Sequence, residues 1–121
     1  MLDPKLMSIV IGLTLEGRFA PIHFAPPCSS FSRAVNRFMS YALRSFDFPE
    51  GLLNLPEAQM LKVELGNVLA EVTLRLAMAQ ERVKMAWQFE QPLSSLMMCL
   101  TSWNAFFSRS DVFHAVVWMC W

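Results

Sequence analysis

The chain reads as an α/β protein, a partial doubly wound parallel sheet of about three strands with crossover helices. Three observations predict it. Helix-type and strand-type segments alternate from one end to the other, the signature of parallel strands joined by crossovers. Leu61, Leu65, Val68, Val72, Leu76, Ala79 and Val83 recur at steps of four and three, marking a long amphipathic helix between two short apolar segments. The last ten residues, VFHAVVWMCW, are almost continuously apolar, as a strand covered on both faces must be.

Asp3-Pro4 gives the first helix an N-cap followed by proline at its first position. Leu6, Ile9, Val10 and Leu13 keep helical spacing, and Gly17 is a natural C-terminal stop. Arg18–Ala25, RFAPIHFA, reads as the first strand, with Pro21 admissible near its start. It ends in the turn Pro26-Pro27-Cys28. Ser32–Arg44 is a short helix or an ordered loop, and FDFPEGLLNLPE, with Pro49, Gly51 and Pro56, is a connection. After the long helix, Ala86–Glu90 is the second strand, Ser95–Phe107 a helix and Val112–Trp121 the third strand.

With 121 residues the chain makes one domain or part of one. Hydrophobic residues make up 55% and charged residues 17%, against about 45–50% and about 25% in ordinary domains. That surplus calls for either an unusually large interior or an apolar face that meets a partner. Membrane insertion is not the expectation. Leu6–Leu15 is interrupted by Ser8, Gly12 and Thr14 and is about half a spanning length, and the uncharged run 91–108 is rich in hydroxyl and amide side chains. The start MLDPKL lacks the features of an export signal. A net charge of zero excludes a global basic field of the kind that holds nucleic acid nonspecifically. Three widely spaced cysteines make no disulfide framework, and Cys99, His114 and Cys120 have no metal-site spacing. The expected setting is therefore reducing and intracellular, nuclear or cytoplasmic, with no metal.

Ligands bind beyond the carboxyl ends of parallel strands. Cys28 follows the first strand and Glu90, in WQFEQP, ends the second, so a parallel pairing brings thiol and carboxylate to one sheet edge. Pro26 and Pro27 fix two successive φ angles and send the chain off the sheet along a restricted path. A phosphatase loop needs arginine six positions after the cysteine; Ala34 stands there, and Arg33 comes one too soon. His23 reads as a core or edge histidine before it reads as a base.

PCSSFS, Pro27–Ser32, resembles the proline-cysteine motif of DNA cytosine carbon-5 methyltransferases, usually Pro-Cys-Gln-x-Phe-Ser. Glu90-Gln91-Pro92 resembles the Glu-Asn-Val or Glu-Asn-Pro motif of that family, and VVWMCW is similar to a later strand. The resemblance implies a Rossmann-like methyltransferase sheet and S-adenosylmethionine as cofactor. It also implies catalytic roles for two residues. Cys28 would attack carbon 6 of a flipped-out cytosine as thiolate, and Glu90, buried at a strand end and protonated, would hold the ring at nitrogen 3. Pro26 and Pro27 would border the cofactor, while Ser29, Ser30, Arg33, Arg37 and Arg44 would line DNA and bind phosphates.

The chain departs from the family's pattern in several places. Gly12, Gly17, Gly51 and Gly66 do not form the glycine-rich cofactor loop, Ser29 replaces glutamine, Gln91 replaces asparagine, and no target-recognition region follows. Residues 1–121 are accordingly expected to be a single fragmentary domain, lacking the N-terminal cofactor-binding part and the C-terminal target-recognition part, and inactive alone. Two alternatives stay open: a missing segment or second polypeptide completes a split methyltransferase, or the chain is a non-catalytic interaction module using its apolar face.

Overall fold

The computed structural model describes residues 3–33, 42–113 and 115. It is a small α/β fold, a two-stranded parallel sheet flanked by helices. Helix α1 spans Pro4–Leu15, and the Asp3 carboxylate accepts the Lys5 backbone N–H at 2.8 Å. Pro4 sits where a free amide would have no intrahelical acceptor, and Gly17 closes the helix at φ +68°, a conformation that costs glycine nothing. Strand β1 is only Ile22–Phe24, shorter than the expected 18–25, and begins just after a cis Ala20–Pro21 peptide. Strand β2 is Trp87–Phe89. The two run parallel, Ile22 beside Trp87, His23 beside Gln88 and Phe24 beside Phe89.

Helix α2, Glu57–Arg82, makes the crossover and is 26 residues long. Its buried face coincides only in part with the one the leucine and valine spacing marks: Ala79 of that series is buried and Leu76 packs on the core, but Leu61, Leu65 and Val68 are exposed. Val63, Gly66, Ala70, Thr73, Leu74, Ala77 and Gln80 point inward, while Leu61 and Leu65 are 58% and 57% exposed. The inward face is made of small residues for a physical reason. Ala70 and Ala77, both fully buried, let large aromatic side chains come against the helix. Trp103, also fully buried, donates its indole N–H to the Ala70 carbonyl at 3.1 Å. Phe89 and Phe107 then lie 4.6 and 5.2 Å from the Trp103 ring. The surplus apolar residues are thus divided between a compact aromatic core and an uncovered stripe on α2.

The expected helix over 95–107 is broken. A 3₁₀ turn, Leu96–Cys99, capped by the Ser95 hydroxyl, gives way at Leu100 to helix α3, Thr101–Phe107. Leu96, Met97 and Leu100 are all buried, and the break lets this short segment put three side chains into the core at once. Val112 donates its N–H to the Arg109 carbonyl at 3.3 Å and packs on the core, and the remainder of the expected third strand falls largely on residues outside those described. One face of the sheet buries Phe24 and packs Trp87 and Phe89 on the core. His23 and Gln88 on the other face are exposed.

Candidate functional site at the sheet edge

The parallel register continues past the strands. The Glu90 N–H donates to the Phe24 carbonyl at 3.0 Å, and the Gln91 side-chain amide donates to the Pro26 carbonyl at 2.6 Å. A proline cannot donate, but its carbonyl still accepts, so Pro26 keeps one link to the second strand's exit. The Ser95 hydroxyl holds Gln91 from behind at 3.0 Å. After Pro27 the chain folds into a tight turn in which Phe31 N–H and Ser32 N–H both donate to the Cys28 carbonyl, at 2.9 and 2.7 Å. Leu96 N–H then donates to the Phe31 carbonyl, and Ser32 bridges to Ser95. The segments after β1 and β2 therefore leave the sheet at the same end and are stitched together, with Cys28 half-buried between them.

Arg44 was expected on a DNA-facing surface. It is instead 1% exposed, and that expectation is corrected by its partners. Its Nε donates to the Ser30 carbonyl at 3.1 Å and its Nη2 to the Ser30 hydroxyl and the Val63 carbonyl at 3.0 and 2.8 Å. Its Nη1 donates to the Pro49 carbonyl and Asn67 Oδ1 at 2.6 and 2.7 Å. The guanidinium also lies over the Phe31 ring, 3.7 Å from its centre. Every donor in the fork is thus directed at protein, leaving none for a phosphate. Burial lowers the Arg44 pKa to about 10, opposed by Glu50, so the side chain stays charged near neutral pH. Gly66 makes room for this clasp, since a Cβ there would collide with the Ser30 hydroxyl and come within 2.8 Å of Arg44 Nη2. Ser30, likewise assigned to DNA, is buried and taken up by Arg44.

Glu90 is the second correction. It was expected buried and protonated, but it is 53% exposed on the open sheet face, its Oε2 3.6 Å from His23 Nε2. Gln88 Nε2 approaches His23 Nδ1 at 2.6 Å, and with that amide donating, Nε2 carries the ring hydrogen toward Glu90. Nδ1 is taken up by Gln88, while the Glu90 contact is a half-exposed approach at ion-pair distance. Ser29 and Arg33 are exposed, and the Arg33 guanidinium sits 5.1 Å from the Phe46 ring centre. Pro26 is half-buried and Pro27 exposed; Arg37 lies outside the described residues.

Two open hollows are formed elsewhere. One of about 540 Å³ is lined by Glu50, Asn67, Glu71, Leu100, Thr101 and Ser102, and one of about 260 Å³ lies between α1 and α2; neither includes Cys28 or Glu90. Among the described residues no group of three or more His, Cys, Asp or Glu side chains converges as a metal site, and no helix is long and apolar enough to cross a membrane. Sequence reasoning missed Gly66, Asn67 and Phe31 as parts of the clasp. The available signals were an arginine inside the apolar run YALRSF and a glycine in mid-helix, where it costs about 1 kcal/mol unless close packing needs it. Compared with protein-family models, curated proteins and solved structures, the chain matches none.

Proposed function

We propose that the chain is a fragmentary or degenerate DNA cytosine-5 methyltransferase-like domain that does not transfer methyl groups alone. The observation that supports this reading is the shared edge: Pro26 of the PPC turn and Gln91 of the EQP turn are joined by a hydrogen bond beyond two parallel strands. The turn around Cys28 is fixed on one side by Gln91 and Ser95 and on the other by Arg44, which keeps the sulfur's backbone in one conformation.

In this reading the Cys28 thiolate adds to carbon 6 of an extruded pyrimidine, forming the S–C6 bond while the C5–C6 π pair moves to carbon 5. S-adenosylmethionine, when bound, would supply a methyl group to that pair and leave as S-adenosylhomocysteine, after which loss of the C5 proton re-forms the C5–C6 double bond and expels the Cys28 thiolate. Without it, carbon 5 takes a proton from water. Glu90 reaches the ring only after turning from His23, an exposed contact that costs little to break. No residue set here supplies the family's glycine-rich cofactor loop, so methyl transfer requires further polypeptide.

The test uses the full chain and a single-stranded oligonucleotide carrying 2-pyrimidinone, a base that adds thiolates readily at carbon 6. Intact-mass spectrometry is expected to show an adduct that Cys28→Ser abolishes, while calorimetry shows no heat with S-adenosylmethionine. Absence of a Cys28-dependent adduct overturns the nucleophile assignment, and saturable cofactor binding overturns the incomplete-site assignment. One observation favours a second reading, an interaction module: the exposed Leu61, Leu65 and Val68 on α2.

A further inference from the structure

We propose that the chain pairs with a second copy of itself, the two α2 helices lying antiparallel. This inference is independent of the role given to Cys28. Glu57, Leu61, Glu64 and Val68 follow one another along α2 at steps of four and three, and Glu71, Arg75, Met78 and Arg82 continue the series; all are exposed. Steps of four and three keep these eight side chains on one face along the whole helix, with Leu61, Val68 and Met78 as its apolar members between charged ones.

Charge along the seam decides the direction. Its first half carries Glu57 and Glu64, its second half Arg75 and Arg82. A parallel pair would set Glu57 against Glu57 and Arg82 against Arg82. Reversing the second helix about the midpoint between Leu69 and Ala70 instead sets Glu57 opposite Arg82 of the second copy, and Glu64 opposite its Arg75. Like charges held face to face are penalised, opposite ones favoured, and the two-fold axis counts each pair twice. Glu71 faces Val68 of the second copy and keeps its own Arg75 at 2.8 Å, so it enters the seam already neutralised.

Shape points the same way. The reversed register brings Leu61 against Met78 of the second copy. Met78, with Ala79, Ile11 and Leu15, walls the 260 Å³ hollow between α1 and α2, whose rim carries Arg75 and Arg82. The exposed leucine at one end of the helix is therefore matched to an apolar hollow at the other end. Each copy supplies one knob and one hole, the self-complementarity a closed two-fold interface requires.

Sedimentation velocity on the full chain tests this, with far-UV circular dichroism confirming the fold of each variant. The wild type is expected to sediment as a dimer and Leu61→Glu, a change at an exposed site, as a folded monomer. Glu57→Arg and Arg82→Glu are each expected to weaken dimerisation by about tenfold or more, and the double variant to restore it, because charge reversal on both sides rebuilds the pair without touching the Glu71–Arg75 bridge. A wild-type monomer at the highest soluble concentration overturns the proposal and leaves the stripe to a different partner. So does a dimer that Leu61→Glu leaves intact, or one that the double reversal fails to restore.

Discussion

Replacing Gly66 with alanine sets two physical effects against each other. In the interior of an exposed helix, Gly→Ala stabilises by about 1 kcal/mol, because alanine loses less backbone entropy on folding. At position 66 the new methyl meets the Ser30 hydroxyl, Arg44 Nη2 at 2.8 Å and Phe31 Cε2 at 3.2 Å. The Ser30 side chain is short, and Arg44 is fixed by its bonds to Ser30, Val63, Pro49 and Asn67, so neither withdraws freely. Overpacking costs about 1–3 kcal/mol, and losing one charged hydrogen bond about 1.5–3 more. Subtracting the helix gain leaves Gly66→Ala destabilised by about 1.5–5 kcal/mol. Gly12→Ala in α1 is the control, since its added Cβ meets nothing within 4 Å; it is expected to gain about 0.5–1 kcal/mol. Urea unfolding measures both. With a slope of about 1–3 kcal/mol per molar, the two midpoints should separate by about 1 M or more in opposite directions from wild type. A stabilised Gly66→Ala would refute the clasp packing outright.

Two further predictions rest on charged groups. Arg44→Met leaves acceptors from Ser30, Pro49 and Asn67 without their donor, each costing about 1–3 kcal/mol, partly offset by relief of a buried charge. The net loss is expected to be about 3 kcal/mol, with Cys28 alkylated faster relative to Cys99; equal acceleration at both thiols would signal general loosening instead. Arg109 bonds Asp111 and Glu81, and holds the Asp111 carboxyl below the usual carboxylate range. A lowered folded pKa stabilises above the unfolded value of about 3.9 and is lost as pH falls through the folded value. Asp111→Asn should therefore be somewhat less stable than wild type at neutral pH and converge with it as pH falls below about 4, flattening the acid limb, a result checked by thermal melts across that range.

The parts of the fold written in local chemistry were legible in the sequence. Asp3-Pro4 and Gly17 bounded α1 because capping and left-handed termination need only neighbouring residues. The long crossover helix and the parallel strand pairing followed from periodicity and alternation. The inward face of α2 was legible only in part, since the leucine and valine spacing marks hydrophobicity, whereas the interior selects small residues wherever Trp103 and the Arg44 clasp press against the helix. The break in the last helix at Leu100, whose backbone is extended at φ −56° and ψ 136°, carried no glycine or proline to mark it. At the candidate site, the juxtaposition of the PPC and EQP turns was predictable from topology alone. The inward turn of Arg44 and the outward turn of Glu90 were not, because a residue type states that a charge exists but not which side of a two-stranded sheet or loop will hold it.

Everything proposed for Cys28 depends on β1 and β2 running parallel in the observed register, and a disulfide scan reads that register directly. In a background where all three native cysteines are serine, His23→Cys with Gln88→Cys places two exposed sulfurs on directly paired residues, within the Cα separation of about 4.4–6.8 Å that a disulfide tolerates. Mild oxidation is expected to close an intramolecular bond in that variant and in Ala25→Cys with Glu90→Cys, where the parallel register continues past the strands, and not in Ala25→Cys with Ala86→Cys, which antiparallel strands centred on the same His23–Gln88 pair would set side by side. Closure of Ala25→Cys with Ala86→Cys and none with Glu90→Cys would contradict the parallel edge and the site built upon it.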